Sequence, residues 1–385
     1  MGGILQFVKR NIGSAVIPLW VFILFLPFTG IGAALRMALT AGFLILLWNM
    51  AKRKVPGSFR ASLRSAIAGP AERLSPFLSH ARSGWAQVLL VLFLLLLPLF
   101  LSDYFRDVMT LTCMYIVLAL GLNIVVGQAG LLNLGYVAFY AIGAYTYAIL
   151  STAFGISFWP GLALGAFCAA VFAALLGWPT LKLRGDYFAI VTLGLGEITR
   201  IVLNNWDKLT GGPNGISNIG RPVIAGHTFQ TTLDFYYLIL FIVILAVFSM
   251  NRLIRSRIGR AWIAIREDEV AAEAMGIDTF RLKLLAFVIG SAWAGLTGVF
   301  FAAKMAFVSP ESFTFFESVM ILCMVVLGGM GSVPGIILGA LLLITLPEVF
   351  RDLQDYRMLA FGIALVLMMI FRPQGLLGTV KAGTR

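Results

Sequence analysis

The sequence predicts an all-α membrane protein that crosses the bilayer about ten to twelve times. Of its 385 residues, 60% are hydrophobic and 12% are charged, whereas a soluble domain carries about 25% charged and 45–50% apolar residues. The apolar residues fall in runs close to the ~20 residues that a helix needs to span a bilayer. These runs are too long and too unalternating for barrel strands, and open strands leave backbone groups unsatisfied in lipid, so we expect helices.

The apolar runs give the expected helices in chain order. They cover 15–35, 37–51, 86–102, 107–126, 131–153, 159–180, 187–205, 234–250, 284–303, 317–330, 333–349 and 358–371. The first run lacks a small-residue cleavage site and another run follows at once, so we interpret it as a retained helix rather than a signal peptide. Glycine and proline near residue 330 leave open whether 317–330 and 333–349 are two spans or one broken span.

The basic residues predict the orientation. Of the 29 Lys and Arg residues, 21 fall on one side of the predicted spans, seven fall on the other, and Arg200 lies within a span. Because Lys and Arg resist translocation, the richer side is expected to be cytoplasmic. We therefore expect both termini in the cytoplasm of a bacterial cell with the chain in the inner membrane, and the net charge of +12 calls for no nucleic-acid partner.

The chain divides into two predicted parts. Residues 1–84 are expected to form a helical hairpin followed by a basic cytoplasmic loop. That loop is interpreted as lying on anionic lipid headgroups, with an arm for a partner protein as the alternative. Residues 85–385 form a continuous helical core with an outer loop at 206–233 and an inner loop at 251–283.

Motifs for several chemical activities are absent from the sequence. There is no G-x-x-x-x-G-K-[ST] phosphate loop, no H-E-x-x-H and no G-x-S-x-G. The three cysteines lie in apolar runs without paired spacing, and both histidines lie in polar loops, so neither a disulfide framework nor a metal site is expected. We therefore expect no catalytic residues, no metal and no cofactor bound by this chain, which leaves transport, channel activity or an uncatalogued membrane enzyme as the possible functions.

The inner loop contains an amphipathic pattern. From Trp262 to Met275, apolar residues recur at helical spacing with most acidic residues on the other face, and Gly276 is a typical helix stop. This predicts a short helix suited to a groove on another protein. The alternative is a helix lying on the membrane, against which its acidic residues argue because anionic headgroups repel them.

Eight stretches of sequence resemble the permeases of ABC importers. Residues 271–276 are similar to a degenerate form of the coupling-loop motif, and residues 259–270 resemble the M-type subunit of the high-affinity leucine/isoleucine/valine systems. Further similar segments are 121–135, 183–194, 210–216, 307–315, 326–331 and 372–376. The resemblance extends from about residue 86 to residue 378, and Asp186 departs from it where an apolar residue is expected.

The resemblance implies an importer that moves branched-chain amino acids from the periplasm to the cytoplasm. Its implied partners are a homologous H-type permease, two ATP-binding subunits that hold Mg-ATP, and a periplasmic amino-acid-binding protein. In such permeases the coupling helix docks on the ATP-binding subunit. The residues expected there are Trp262, Arg266, Glu267, Asp268, Glu269, Ala272, Glu273 and Gly276.

Polar residues inside spans are candidates for the translocation path, because they are costly in lipid. Glu197 and Arg200 lie three apart on one helical face, and they either fix helix packing or line the path. Asn123, Gln128 and Asn133 lie in a glycine-rich stretch that is typical of a broken helix. Amide-to-backbone bonding between helices is the alternative for these three.

The outer loop 210–216 has the composition of a turn and lies on the side where a binding protein would dock. Asn214 within it and Asp207 before it are the candidate contacts, with a solvated connector as the alternative.

Other functions remain as alternatives from the sequence. A urea or short-amide ABC permease has similar motifs. A stand-alone ion-coupled carrier would need an acidic relay in the spans, and a membrane enzyme would need a catalytic cluster.

Overall fold

The computed structural model describes residues 94–99, 101–183, 185–224, 226–349, 362, 375 and 376. The predicted spans 15–35 and 37–51, the basic loop at 52–84, and the span 358–371 except Gly362 lie outside these residues. Most of the run 86–102 also lies outside them, but residues 94–99 are helical.

Helices make up most of the described chain. The predicted runs between 107 and 349 are found as helices whose ends differ by a few residues from the prediction. The helices are α1 (Asp103–Asn123), α2 (Tyr136–Phe154), α3 (Phe158–Thr180), α4 (Asp186–Asn205), α5 (Asp207–Thr210), α6 (Thr232–Arg255), α7 (Arg257–Glu267), α8 (Glu269–Ala274), α9 (Thr279–Met305), α10 (Phe315–Gly328) and α11 (Val333–Val349).

Five of the described helices are long and apolar enough to cross a membrane: α1 with its extension to Gln128, α2, α3, α6 and α9. In addition, α10 and the part of α11 from Val333 to Thr345 are apolar but shorter. α4 has 20 residues and is less apolar because it carries Glu197, Arg200 and two asparagines. The expected all-α, multi-pass fold is confirmed.

The structure moves one predicted helix start and decides between the two alternatives near residue 330. The run predicted over 131–153 begins as a helix only at Tyr136, because Gly130 has a φ of +75° and turns the chain out of helical geometry. The runs near residue 330 are two separate helices, α10 and α11, joined by a glycine-containing turn in which Gly329 and Gly331 have positive φ.

The bundle has two ends, which we call inner and outer. The inner end carries α7 and α8, and Trp178 at the end of α3 packs edge-on against Phe280 there, with ring centroids 5.2 Å apart. The outer end carries the loop 206–231, where the Gly220 amide donates to the Ser151 hydroxyl of α2 at 2.9 Å.

The core is built around α9, which packs against α1, α2 and α3. A Cβ atom on Gly143 of α2 would collide with the backbone of Gly295 in α9, and one on Gly165 of α3 would collide with Val299. Small residues therefore allow these backbones to approach closely, as is common between membrane helices. Phe139 and Phe287 fill the space beside them, with ring centroids 5.2 Å apart.

The outer loop contains two short antiparallel ladders. β1 (Ile216–Ser217) pairs with β4 (Phe307–Val308), and β2 (Val223–Ile224) pairs with β3 (His227–Thr228). The first ladder connects the loop after α5 to the segment between α9 and α10. Each ladder is two residues long, so the fold remains all-α.

Candidate functional site

The coupling segment at the inner end consists of two helices, not the one predicted over 262–275. α7 ends at Glu267, Asp268 is extended with φ −156° and ψ 109°, and α8 follows. Asp268 breaks the pattern because its carboxylate accepts a hydrogen bond from the Ala271 amide at 3.0 Å and so begins a new helix. Gly276, with φ +84°, allows the turn after α8, as the sequence predicted.

Two of the eight predicted coupling residues face the interior of the bundle. Trp262 is fully buried, and its Nε1 donates to the Leu282 carbonyl of α9 at 2.7 Å. Ala272 is also buried. In the isolated chain these two residues therefore attach the coupling segment to the bundle instead of facing a partner.

The remaining coupling residues outline an exposed surface on α8. Glu267, Asp268, Glu273 and Gly276 are exposed, whereas Arg266 and Glu269 are half-buried. Between the acidic residues lie two apolar side chains that sequence reasoning did not select, Val270 at 66% exposure and Met275 at 83%. Their exposure depends on the break at Asp268, which the apolar spacing alone does not reveal.

α8 is tied to α9 by an ion pair. The Lys283 ammonium lies 2.5 Å from a Glu269 carboxylate oxygen, and the Lys283 side chain is 9% exposed. This pair and the Trp262 bond fix the coupling segment at both of its helices.

A junction connects the coupling segment to two breaks in the membrane helices. After Asn123, α1 continues as a π-helical turn to Gln128, a form found mostly at functional positions. Arg266 of α7 donates to the Gly127 carbonyl of this turn. The Asn123 Oδ1 accepts from the Gly331 amide at 2.8 Å, and the Gln128 Nε2 donates to the Gly331 carbonyl at 3.2 Å. We call these five residues the inner junction.

Asn133 has a local partner in the segment before α2. Its Oδ1 accepts from the Gly135 amide at 3.0 Å. The Nδ2 atoms of Asn133 and Asn123 are buried, and neither has a hydrogen-bond partner in the described part of the chain. The structure therefore brings Asn123 and Gln128 together on Gly331 and leaves Asn133 separate from them.

The charged pair on α4 is not enclosed by the residues that the structure describes. Arg200 Nε donates to Glu197 Oε2 at 3.0 Å, and the two side chains are 33% and 34% exposed. Exposed apolar residues continue the same side of the helix, including Ile190 and Ile201, seven residues before and four residues after Glu197. A half-exposed ion pair within a span is costly against lipid, so this side of α4 suits contact with protein or water.

The outer candidates lie together in the loop after α4. Asp207 begins α5, and Asn214 ends a 3₁₀ turn at Gly212–Asn214. Both are exposed. The loop is stabilised from beneath, because the Thr210 hydroxyl donates to the Leu203 carbonyl at 2.6 Å.

Glu317 is a polar residue that sequence reasoning missed. It lies in the first turn of α10, and the Tyr115 hydroxyl of α1 donates to its Oε2 at 2.6 Å. It is the one acidic residue of the apolar run 317–330, which is the signal that could have identified it. Its position at the start of the predicted span favours a place at the membrane surface, so the sequence does not indicate that Glu317 contacts another membrane helix.

No three His, Cys, Asp or Glu side chains are grouped as metal ligands among the described residues. The ionisable groups that the structure does bring together are pairs, and none of them forms a nucleophile–base arrangement.

Comparisons with known proteins find similarity to membrane permeases. A family model described as branched-chain amino acid transport system / permease component matches residues 104–371. The high-affinity branched-chain amino acid transport system permease protein LivM of Escherichia coli K12 is 50% identical over 303 residues, covering 73% of this chain and 71% of the relative. The permease protein LivH of the same organism is 30% identical over 301 residues, covering 72% and 96%.

A more distant relative is the probable branched-chain amino acid transport permease protein LivM of Methanocaldococcus jannaschii, 26% identical over 317 residues. No solved structure matches. The family match spans α1 to α11, and identity to the E. coli LivM exceeds identity to LivH. The chain belongs to the family of permease components of branched-chain amino acid transport systems.

Proposed function

We propose that this chain is the M-type membrane subunit of an ATP-driven importer that carries leucine, isoleucine and valine into the cytoplasm. The observation that carries this proposal is the 50% identity to a LivM permease, which covers 73% of this chain. The polar groups within an otherwise apolar bundle agree with a route for a zwitterion that has an aliphatic side chain.

The importer needs subunits beyond this chain. Because this chain is 30% identical to LivH over 72% of its length, we propose an H-type permease of similar fold as its partner in the membrane. The chain has no phosphate loop, so we propose that two partner subunits bind Mg-ATP and hydrolyse it. A periplasmic binding protein would deliver the amino acid.

We propose that α8 is the surface that docks on an ATP-binding subunit. Its exposed face combines Val270 and Met275 with the acidic side chains of Glu267, Asp268 and Glu273. Such a face suits an apolar groove with a basic rim. Trp262, Ala272 and the Glu269–Lys283 pair would hold α8 against the bundle while the partner moves it.

The inner junction would carry that movement into the membrane. Arg266 binds the π-helical turn of α1, and the same turn is fastened to Gly331 between α10 and α11. A displacement of α7 therefore acts on three membrane helices through hydrogen bonds. Asn123 and Gln128 would serve the path by fixing these breaks, and Asn133 would support the backbone beside them.

We propose that the side of α4 with Glu197 and Arg200 lines the translocation path against the partner permease. The argument is physical: an ion pair about one-third exposed within a helix of this bundle avoids the cost of lipid contact only where protein or water covers it. Carboxylate and guanidinium groups also match the two charges of an amino acid.

At the outer end, Asp207 and Asn214 would contact the binding protein, since both are exposed on a loop that is stabilised by the β1–β4 ladder. This orientation places α7 and α8 in the cytoplasm, together with both termini. The excess of Lys and Arg on that side supports it.

The test is uptake of labelled leucine at low concentration by a strain that lacks only this gene. We expect uptake to fall and to return with the gene, and unlabelled isoleucine and valine to compete in the complemented strain. Unchanged leucine uptake in the deletion strain, or competition by urea in place of isoleucine and valine, would contradict the proposed substrate.

A further inference from the structure

Glu317 lies well inside the bundle. At the outer end of α1, Asp107 pairs with Lys304 of α9, with 2.8 Å between carboxylate oxygen and ammonium nitrogen. Tyr115, which donates to Glu317 at 2.6 Å, is eight residues further along α1. A helix rises 1.5 Å per residue, so the backbone of Tyr115 lies about 12 Å further along α1 than that of Asp107, and Glu317 contacts the Tyr115 side chain.

Glu317 differs from three other carboxylates of the bundle, each of which pairs with a cation. Asp107 pairs with Lys304, Glu197 with Arg200, and Glu269 with Lys283. Among the described residues, the partner of Glu317 is the neutral hydroxyl of Tyr115. An ionised carboxylate in an apolar environment is stabilised best by a cation, and the described residues supply none to this one.

The surroundings of Glu317 are aromatic. Phe313, in the turn before α10, packs against Tyr140 with ring centroids 5.1 Å apart and against Phe301 at 5.9 Å. Tyr145 lies 6.1 Å from Phe313, and its buried hydroxyl has no hydrogen-bond partner among the described residues. Aromatic rings of this kind can contact an aliphatic side chain, and the Tyr145 hydroxyl can donate to a carboxylate.

Glu317 lies in a helix that packs against α4, which carries the Glu197–Arg200 pair. The turn Pro310–Phe313 packs against both α2 and α4, and α10 also contacts α4. The proposed path side of α4 and the start of α10 are therefore neighbouring parts of the bundle. A solute moving along α4 passes the segment that presents Glu317.

We propose that Glu317, oriented by Tyr115, binds the ammonium group of the amino acid as it passes through the outer half of the membrane. The inference rests on the proposed function and names the residue that selects an amine. The bound ammonium makes a charge-assisted hydrogen bond to the carboxylate. The aromatic side chains around Phe313 contact the aliphatic side chain.

The test uses the complete importer in liposomes, with the binding protein in the buffer that contacts the outer end of the bundle. Leucine uptake and ATP hydrolysis stimulated by the binding protein are measured for the native complex and for Glu317→Gln. The amide keeps the size and the acceptor for Tyr115 but removes the charge. Because a hydrogen bond to a charged group contributes about 1.5–3 kcal/mol, we expect uptake to fall about 10- to 100-fold.

Stimulated ATP hydrolysis is expected to stay within about twofold, so that fewer leucines enter per ATP hydrolysed. A merely structural role would lower both rates together. Asp107→Asn is the matched control, since it removes a carboxylate from α1, the helix that carries Tyr115, outside the proposed site, and it should keep the native ratio. An unchanged ratio in Glu317→Gln would overturn the proposal.

A second pair of variants decides the matter if Glu317→Gln does not assemble. Glu317→Asp and Glu317→Asn have the same shape, and only the first retains charge, so only the first should transport. Equal transport by both would also overturn the proposal. Failure of the proposed function is separate, because the native complex itself would then take up no leucine.

Discussion

The inner junction and the outer half of the membrane use polar groups differently. At the junction, Gly331 is held through both its amide and its carbonyl, and Arg266 reaches the neighbouring π-helical turn. In the outer half, Glu317 has a single hydroxyl partner, and the Glu197–Arg200 pair is about one-third exposed. The first region is cross-linked by several bonds, whereas the second keeps its charged groups available.

This difference suggests a division of labour within one bundle. Dense hydrogen bonding makes the inner end move as a unit, which is what transmission of a mechanical displacement requires. A charged side chain with few hydrogen-bond partners loses little when it exchanges one of them for a solute, which is what transport of a solute requires. The following substitutions test this division, from the largest expected effect to the smallest.

Arg266→Ala should have the largest effect, because it disconnects α7 from the Gly127 carbonyl. We expect leucine uptake to fall about tenfold or more, since a charged hydrogen bond contributes about 1.5–3 kcal/mol. Uptake and stimulated ATP hydrolysis by the reconstituted complex are the measurements. Arg266→Lys, which keeps the charge but not the planar fork, should retain intermediate uptake. Native uptake by Arg266→Ala would show that the junction does not transmit movement.

Lys283→Met should have an intermediate effect. It keeps the packing of the side-chain stem but leaves the Glu269 carboxylate, 2.5 Å away in the native chain, without its ammonium. We expect the complex to unfold at a lower temperature by several degrees and uptake to fall about threefold, because breaking a largely buried pair is destabilising.

Arg281→Met is the matched control for Lys283→Met, since the Arg281 side chain is 85% exposed and its pair with Asp278 lies on the surface. Surface pairs contribute about 0–1 kcal/mol, so this variant should unfold at the native temperature. Equal shifts in the two variants would mean that burial does not distinguish the two pairs.

The Glu197–Arg200 pair should have the smallest effect on stability. A double-mutant cycle with Glu197→Gln and Arg200→Gln should give a coupling energy of about 0.5 kcal/mol in unfolding, as for other helical pairs three residues apart. Leucine uptake should nevertheless fall in each single variant. A coupling energy of several kcal/mol, with uptake retained, would assign the pair to helix packing and remove it from the path.

The helices could be predicted from the sequence because each depends on a local property. Apolar runs near the bilayer length locate α1, α3 and α6, and the close packing of Gly143 and Gly165 follows from their lack of a side chain. The stop at Gly276 was likewise readable, since a positive φ after a helix favours glycine.

The remaining features depend on contacts distant in sequence. Asp268 has helical neighbours on both sides. The hydrogen bond that its carboxylate accepts from the Ala271 amide shows that one helix ends and another begins there. The Tyr115–Glu317 bond joins residues 202 positions apart. The burial of Trp262 arises from its bond to Leu282 in another helix. The residue roles in coupling, in the path and at the outer loop stay predictions.

The caps of α8 also affect how this protein can diversify. Asp268 caps the start of α8 and Gly276 allows the turn after its end. The bounds of the segment 269–275 are therefore set by local residues and not by contacts with the bundle. Ala272 and Glu269 face the bundle, and Val270, Glu273 and Met275 face outward. Substitutions at the outward-facing residues could therefore change which ATP-binding subunit the proposed docking surface fits, while the residues that hold α8 against the membrane helices stay the same.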